Sequence, residues 1–162
     1  MELRKTTTAN ADIARTWAAL TDVTTWPNWT PSMTSVQRLD DGPLRVGSRA
    51  RIKQPRMPVM TWQVDEIRDR EEFTWSAPAP GVRVTGIHRL VANPDGTTRI
   101  ELEIQQRGPL AGIVGWLTAA RNRRYLELEA AGLKAASEAG GPGGPGHGPN
   151  QPGHGSSGPG DA

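Results

Sequence analysis

From Leu110 to about Ser137 the chain runs without a proline, although it holds fourteen elsewhere. Leu110, Ile113, Leu117, Tyr125, Leu128 and Ala135 fall along one broad stripe of this segment, the repeat of a helix with one apolar face. At ~1.5 Å per residue such a helix is ~40 Å long, enough to cross a whole small sheet. Gly112, Gly115 and Gly132 lower its intrinsic propensity, so packing against another layer must hold it.

The preceding residues supply that layer. Glu2 to Ala9 alternate and are rich in Thr, which suits a strand with one solvated face. Asn10 or Asp12 then caps a helix over Ala11 to Leu20, with Ile13, Trp17 and Leu20 on one face. Asp22 to Pro31 holds two prolines and has room only for a short second helix. Between Met33 and Gln106 the punctuation marks six strands, near 33–39, 47–54, 59–68, 72–77, 82–93 and 97–106. Asp40-Asp41-Gly42-Pro43 and Asn93-Pro94-Asp95-Gly96 are turn sequences. In the last strand Thr98, Ile100, Leu102 and Ile104 alternate with Arg99, Glu101, Glu103 and Gln105, predicting one buried face and one wet face that carries Glu101 and Glu103. Trp62, Val64 and Ile67 cannot share one strict alternation, which points to a bulge beside Glu66.

From Ala139 to Ala162 the chain is built almost only from Gly, Pro, His, Ser, Asn and Gln. Such a composition has nothing apolar to bury, and a disordered tail is the expectation. Residues 1–138 are then one domain. They carry nineteen Lys and Arg against sixteen acids, a net of +3. These charges interleave along the sequence, which predicts no nucleic-acid partner. The absence of cysteine excludes disulfides, a thiolate nucleophile and Cys-ligated metal sites. His147 and His154 of the tail make at best a weak metal site, and no phosphate loop is present. No cofactor and no metal are expected. With no apolar run of ~18–20 residues, no membrane span is expected, and a cytoplasmic location is the default reading.

Several phrases in this order of elements resemble the START-like or SRPBCC superfamily of birch-pollen allergens and lipid-transfer domains, and within it the bacterial polyketide cyclase/dehydrase-like branch. They are Ala18-Ala19-Leu20-Thr21-Asp22 running into Trp26-Pro27-Asn28-Trp29, Asp41 to Gly47, Thr61-Trp62-Gln63-Val64, and Gly108 to Gly112 opening the last helix. The similarity covers roughly residues 2–136. It implies an α+β helix-grip fold, in which a curved antiparallel seven-stranded sheet wraps a long C-terminal helix in the order β, α, α, six β, α. It also implies an apolar cavity between sheet and helix, and a small hydrophobic ligand that is polyketide-, lipid- or aromatic-like.

The residues offer few candidates for chemistry. His88 is the only imidazole before the tail, and Val84, Gly86, Leu90 and Ala92 share its face at period two, which turns it inward. It is either a satisfied core histidine or a group that polarises a carbonyl or shuttles a proton. Gly86 leaves room beside it, and no acid is an obvious partner. On the last helix Arg121 follows Leu117 by four residues and precedes Tyr125 by four. It either holds a carboxylate or enolate oxygen in the cavity or pairs at the rim with Glu127 or Glu129. Trp26, Met60, Trp62 and Trp75 supply wide apolar walls suited to a flat ligand, and plain core packing accounts for them equally. With Val84, Gly86, His88, Leu90, Ile100, Leu102, Leu117 and Tyr125 they form the candidate ligand-binding set. Cyclase- or dehydratase-type chemistry, a carrier or sensor without chemistry, and a co-chaperone-like interaction module all fit this pattern.

Overall fold

The computed structural model describes residues 1–139; apart from Ala139, the tail lies outside the described residues. The order is β1 (Glu2–Ala9), α1 (Ile13–Thr21), a short 3-10 turn (Val23–Thr25), α2 (Trp26–Trp29), and strands β2 (Ser35–Arg38), β3 (Arg49–Lys53), β4 (Met60–Arg68), β5 (Glu72–Ala79), β6 (Val82–Ala92) and β7 (Thr98–Arg107). The long helix α3 (Ala111–Ala139) closes the series. The seven strands form one antiparallel sheet in the order β1-β7-β6-β5-β4-β3-β2. After β1 the chain crosses to the far edge through α1 and α2, then returns strand by strand. This is the helix-grip α+β architecture that the sequence implies.

Local chemistry sets the ends. Asp12 caps α1, its Oδ1 accepting from the Arg15 amide at 2.9 Å, which satisfies one of the free donors of the first turn. Pro27 sits in the first turn of α2, where a missing amide hydrogen costs nothing. The register between β4 and β5 shifts between Val64 and Glu66. That bulge restores Trp62, Val64 and Ile67 to the core side.

One face of the sheet, with Ala50, Ile52, Trp62, Val64, Phe73, Trp75, Val84, Leu90, Ile100 and Leu102, packs beneath α1, α2 and α3. The other face is charged, yet part of it is buried. Glu103 is only 4 % exposed, against the expectation of a solvated side chain. Arg4 Nε lies 2.9 Å and Arg89 Nη1 3.5 Å from its carboxylate. Arg89 also bonds Glu72, which Arg68 approaches at 3.3 Å. Five neighbouring strands are thus laced by alternating charges whose long stems cover the carboxylates. Burial disfavours the charge on Arg89, but the hydrogen bond it donates to Glu72 and the charges of Glu72 and Glu103 outweigh it and raise its pKa.

The buried side of α3 differs from the stripe of large residues. Its buried positions are Ala111, Gly115, Asn122, Leu126, Glu129, Ala130, Gly132, Leu133 and Ser137, whereas Leu110, Ile113 and Leu117 are exposed. Small residues let the helix sink close to its neighbours. A Cβ on Gly115 would lie 2.7 Å from the Met1 side chain, and one on Gly132 only 2.3 Å from the Trp29 carbonyl oxygen. Close approach, more than hydropathy, orients this helix.

Candidate functional site

Between the sheet and the first half of α3 lies a cavity of about 250 Å³. Strands β3 to β7 present Ile52, Met60, Trp62, Trp75, Val82, Val84 and Leu102 to it, and the β3–β4 loop adds Met57 and Pro58. From α3 come Val114, Thr118, Arg121, Asn122, Tyr125, Leu126 and Glu129, spaced three and four apart so that one helical face lines the cavity. The Tyr125 hydroxyl donates to the Pro55 carbonyl, tying the β3–β4 loop to the helix.

His88 stands on β6, opposite Leu102 in the register, and is 4 % exposed. Its ring stacks on Phe73 at 4.3 Å with a 13° interplanar angle, and Trp26 and Trp75 close two further sides at 5.5 and 5.9 Å. Nδ1 lies 3.4 Å from the Phe73 carbonyl and Nε2 lies 3.3 Å from Glu129 Oε1. A carbonyl only accepts, so the contact at Nδ1 calls for a proton there. A contact between Nε2 and a carboxyl oxygen then needs one further proton, carried by either partner. The pair therefore sets a histidine and a carboxyl side by side on the cavity wall.

Other polar groups lie nearer the start of α3. Thr118 Oγ1 accepts from Asn122 at 3.1 Å and from Gln106 at 3.3 Å. Gln106 Oε1 and Arg121 Nε are buried without a partner among the described residues. Buried polar atoms are normally paired, and these two border the same cavity. Arg121 and Glu129 are eight residues apart, ~12 Å along the helix axis, so the cavity has a cationic end at Arg121 and a histidine–carboxyl end, with apolar walls between. Among the described residues no group of three His, Asp or Glu is placed to hold a metal ion.

Of the residues singled out from sequence, His88, Arg121, Met60, Trp62, Trp75, Val84, Gly86, Leu102 and Tyr125 border the cavity. Four do not. Trp26 is fully buried behind His88, its indole N–H donating to the Leu20 carbonyl at 3.0 Å. Leu90 and Ile100 lie in the core beyond the cavity, because the paired ends of β6 and β7 run on past it under α1. Leu117 is 67 % exposed on the outer side of α3.

Gly86 leaves no spare room, since Trp75, its direct partner across the strands, places Nε1 2.8 Å from where a Cβ would stand. Gly86→Ala is expected to push that indole toward the cavity and cost about 1–3 kcal/mol, as overpacking does. An unchanged melting temperature and Trp emission would contradict this contact.

Glu129 is the partner that sequence reasoning missed for His88. Counting by fours from Arg121 through Tyr125 reaches it, so the helical period held the signal. Glu127 takes the rim pairing instead, with Arg124 at 3.6 Å, while Arg123 and Arg124 are exposed.

Comparisons with known proteins agree with this architecture. The family model described as polyketide cyclase / dehydrase and lipid transport matches residues 1–138. A hypothetical protein of Helicobacter pylori superposes with a TM-score of 0.73 at 15% identity, over 85% of this chain and 88% of that one. The Zhui aromatase/cyclase from a Streptomyces species gives 0.70 at 20% identity, over 87% and 98%. Ara h 8 gives 0.60 at 12% identity, over 83% and 98%. At these identities the likeness is one of fold, and no curated protein is significantly similar in sequence. With the family model spanning the domain and the sheet gripping its last helix, the chain belongs to the polyketide cyclase/dehydrase and lipid transport family.

Proposed function

We propose that the cavity binds a small, mostly apolar ligand bearing a carbonyl or carboxylate, and that His88 and Glu129 move a proton on it in a cyclisation or dehydration. The observation that carries this reading is a histidine–carboxyl pair at 3.3 Å on the wall of a mostly apolar cavity. In a dehydration, the pair takes the proton α to a carbonyl and returns it to the departing hydroxyl to give water, while Arg121 holds a carboxylate at the other end of the ligand. In an aldol cyclisation the carbanion attacks a second carbonyl of the same chain and the new alkoxide takes the proton back. The apolar walls hold the chain in a reactive fold.

Size narrows the ligand. A cavity of ~150 Å³ takes benzene, so 250 Å³ suits about a two-ring molecule or a chain of similar bulk. Titration followed by Trp quenching and native mass spectrometry tests the reading. 2-Naphthoate is expected to bind at least ~10-fold tighter than naphthalene, the gain of a charge-assisted hydrogen bond to Arg121. Arg121→Leu should remove that preference. Equal affinity for the two probes, or binding of neither, would overturn the assignment of Arg121 as the anchor. A ligand that co-purifies and leaves unaltered, with no conversion of any β-ketone chain offered, would favour the carrier.

A further inference from the structure

The turns of an antiparallel meander alternate between the two ends of its sheet, and here the acids of the turns fall at one of them. Asp40, Asp41, Asp69, Glu71 and Asp95 sit in or beside the β2–β3, β4–β5 and β6–β7 turns, at one end. The β3–β4 loop, the β5–β6 turn and the start of α3 share the other end, where Met57, Pro58 and Pro80 border the cavity. Segments 42–64, 73–94 and 104–126, which reach this second end, contain no Asp or Glu. Arg56, Arg83, Arg107, Arg123 and Arg124 are exposed along them. The first end therefore mixes both signs, with Arg38, Arg68 and Arg70 beside Asp40, Glu71 and Asp69, while the second end is predominantly cationic.

The cationic end is also the apolar one. Val59, Leu110, Ile113, Trp116 and Leu117 are five of the eight exposed large apolar side chains among the described residues, and Trp116 is 80% exposed. Ile113, Trp116 and Leu117 stand at i, i+3 and i+4 on one face of α3. Val114, Thr118 and Arg121, next to them on the same turns, border the cavity. A patch of this kind on a helix marks an interaction site. Residues 140–162 have no Leu, Ile, Val, Met or aromatic side chain with which to cover it. A symmetric pairing of two copies through this face would set arginines mostly against arginines, the nearby acids Glu127 and Glu2 being already engaged by Arg124 and Arg4. Nucleic acid would match the charge but give the aliphatic Leu110, Ile113 and Leu117 little to stack on.

We propose that this end docks on an anionic lipid bilayer, with Trp116, Ile113 and Leu117 seated at the headgroup level and the arginines on lipid phosphates. The rim of the cavity then faces the membrane, and an apolar ligand dissolved in the bilayer reaches it without crossing water. The docking itself is independent of any proton transfer at His88.

Sedimentation of the full chain with vesicles tests it, using phosphatidylglycerol mixed equally with phosphatidylcholine, or phosphatidylcholine alone. Binding to the anionic vesicles is expected at low salt, at least ~10-fold stronger than to the neutral ones and weakening as salt rises. Trp emission should shift to the blue, and Trp116→Phe should remove most of that shift while keeping the binding. The pair Arg123→Glu with Arg124→Glu should weaken binding roughly 30-fold or more, and Trp116→Ser with Leu117→Ser about tenfold. All four positions are exposed, so circular dichroism should match the parent. Failure to bind anionic vesicles at low salt would overturn the proposal. So would binding that ignores the Trp116/Leu117 pair, which is adsorption by charge alone, or a dimer in solution that Trp116→Ser dissolves.

Discussion

His88→Gln is expected to lower turnover by ~10²–10⁴-fold, the usual contribution of a positioned acid–base group, while 2-naphthoate affinity stays within about threefold. Glutamine keeps much of the bulk and a donor for the Phe73 carbonyl but has no titratable ring nitrogen through which a proton can pass. Loss of the stacked contact with Phe73 costs the fold only about 0.5–1.5 kcal/mol, so the variant should remain foldable. Glu129→Gln should match it in effect, because an amide at 129 donates to Nε2 and pins the imidazole in one tautomer. If the two groups act as a unit, the double variant is no worse than either single one. Multiplying losses would mean separate roles, and turnover within about threefold of the parent in either single variant would leave the pair a structural contact. The carrier reading would then stand.

The pair also shows what could be read from the sequence. Period-two neighbours turned His88 inward, where it is, and the conflict among Trp62, Val64 and Ile67 placed the bulge, because both inferences rest on strand geometry alone. Glu103 and Glu129 were misread for a shared reason. Each is a carboxylate whose burial depends on a partner from a distant segment, Arg4 and Arg89 for the first and His88 for the second. No local pattern records those partners. Trp26 failed differently: it reads as a wall for a flat ligand, but four aromatic neighbours and the Leu20 carbonyl draw it wholly into the core. The cationic end of the molecule was hidden because antiparallel turns send successive segments to opposite ends and so gather arginines that are far apart along the chain.

The face of α3 was misjudged because Leu110 before it and Ile113 and Leu117 in its first turns are exposed, while Gly115 and Gly132 are among its buried positions. A pair of substitutions in this one helix tests why. Gly132→Ala replaces a poor helix former with the best, which in isolation gains ~1 kcal/mol. Its new Cβ, however, would stand 2.3 Å from the Trp29 carbonyl oxygen and 2.8 Å from the indole ring. Backbone cannot swing aside as a side-chain tip can, so α3 and α2 must part. The expected net loss is about 3 kcal/mol, or ~6–12 °C in melting temperature for a domain of this size. Gly112→Ala is the control, since nothing lies within 4 Å of its Cβ, and it should be neutral or stabilise by up to ~1 kcal/mol. Trp29 packs on Trp26 at 5.6 Å, and Trp26 walls His88, so strain at Gly132 should also disturb the imidazole's surroundings and lower turnover. If Gly132→Ala proves as stable as Gly112→Ala, close approach does not hold the helix, and the orientation of Arg121, Tyr125 and Glu129 toward the cavity loses its physical basis.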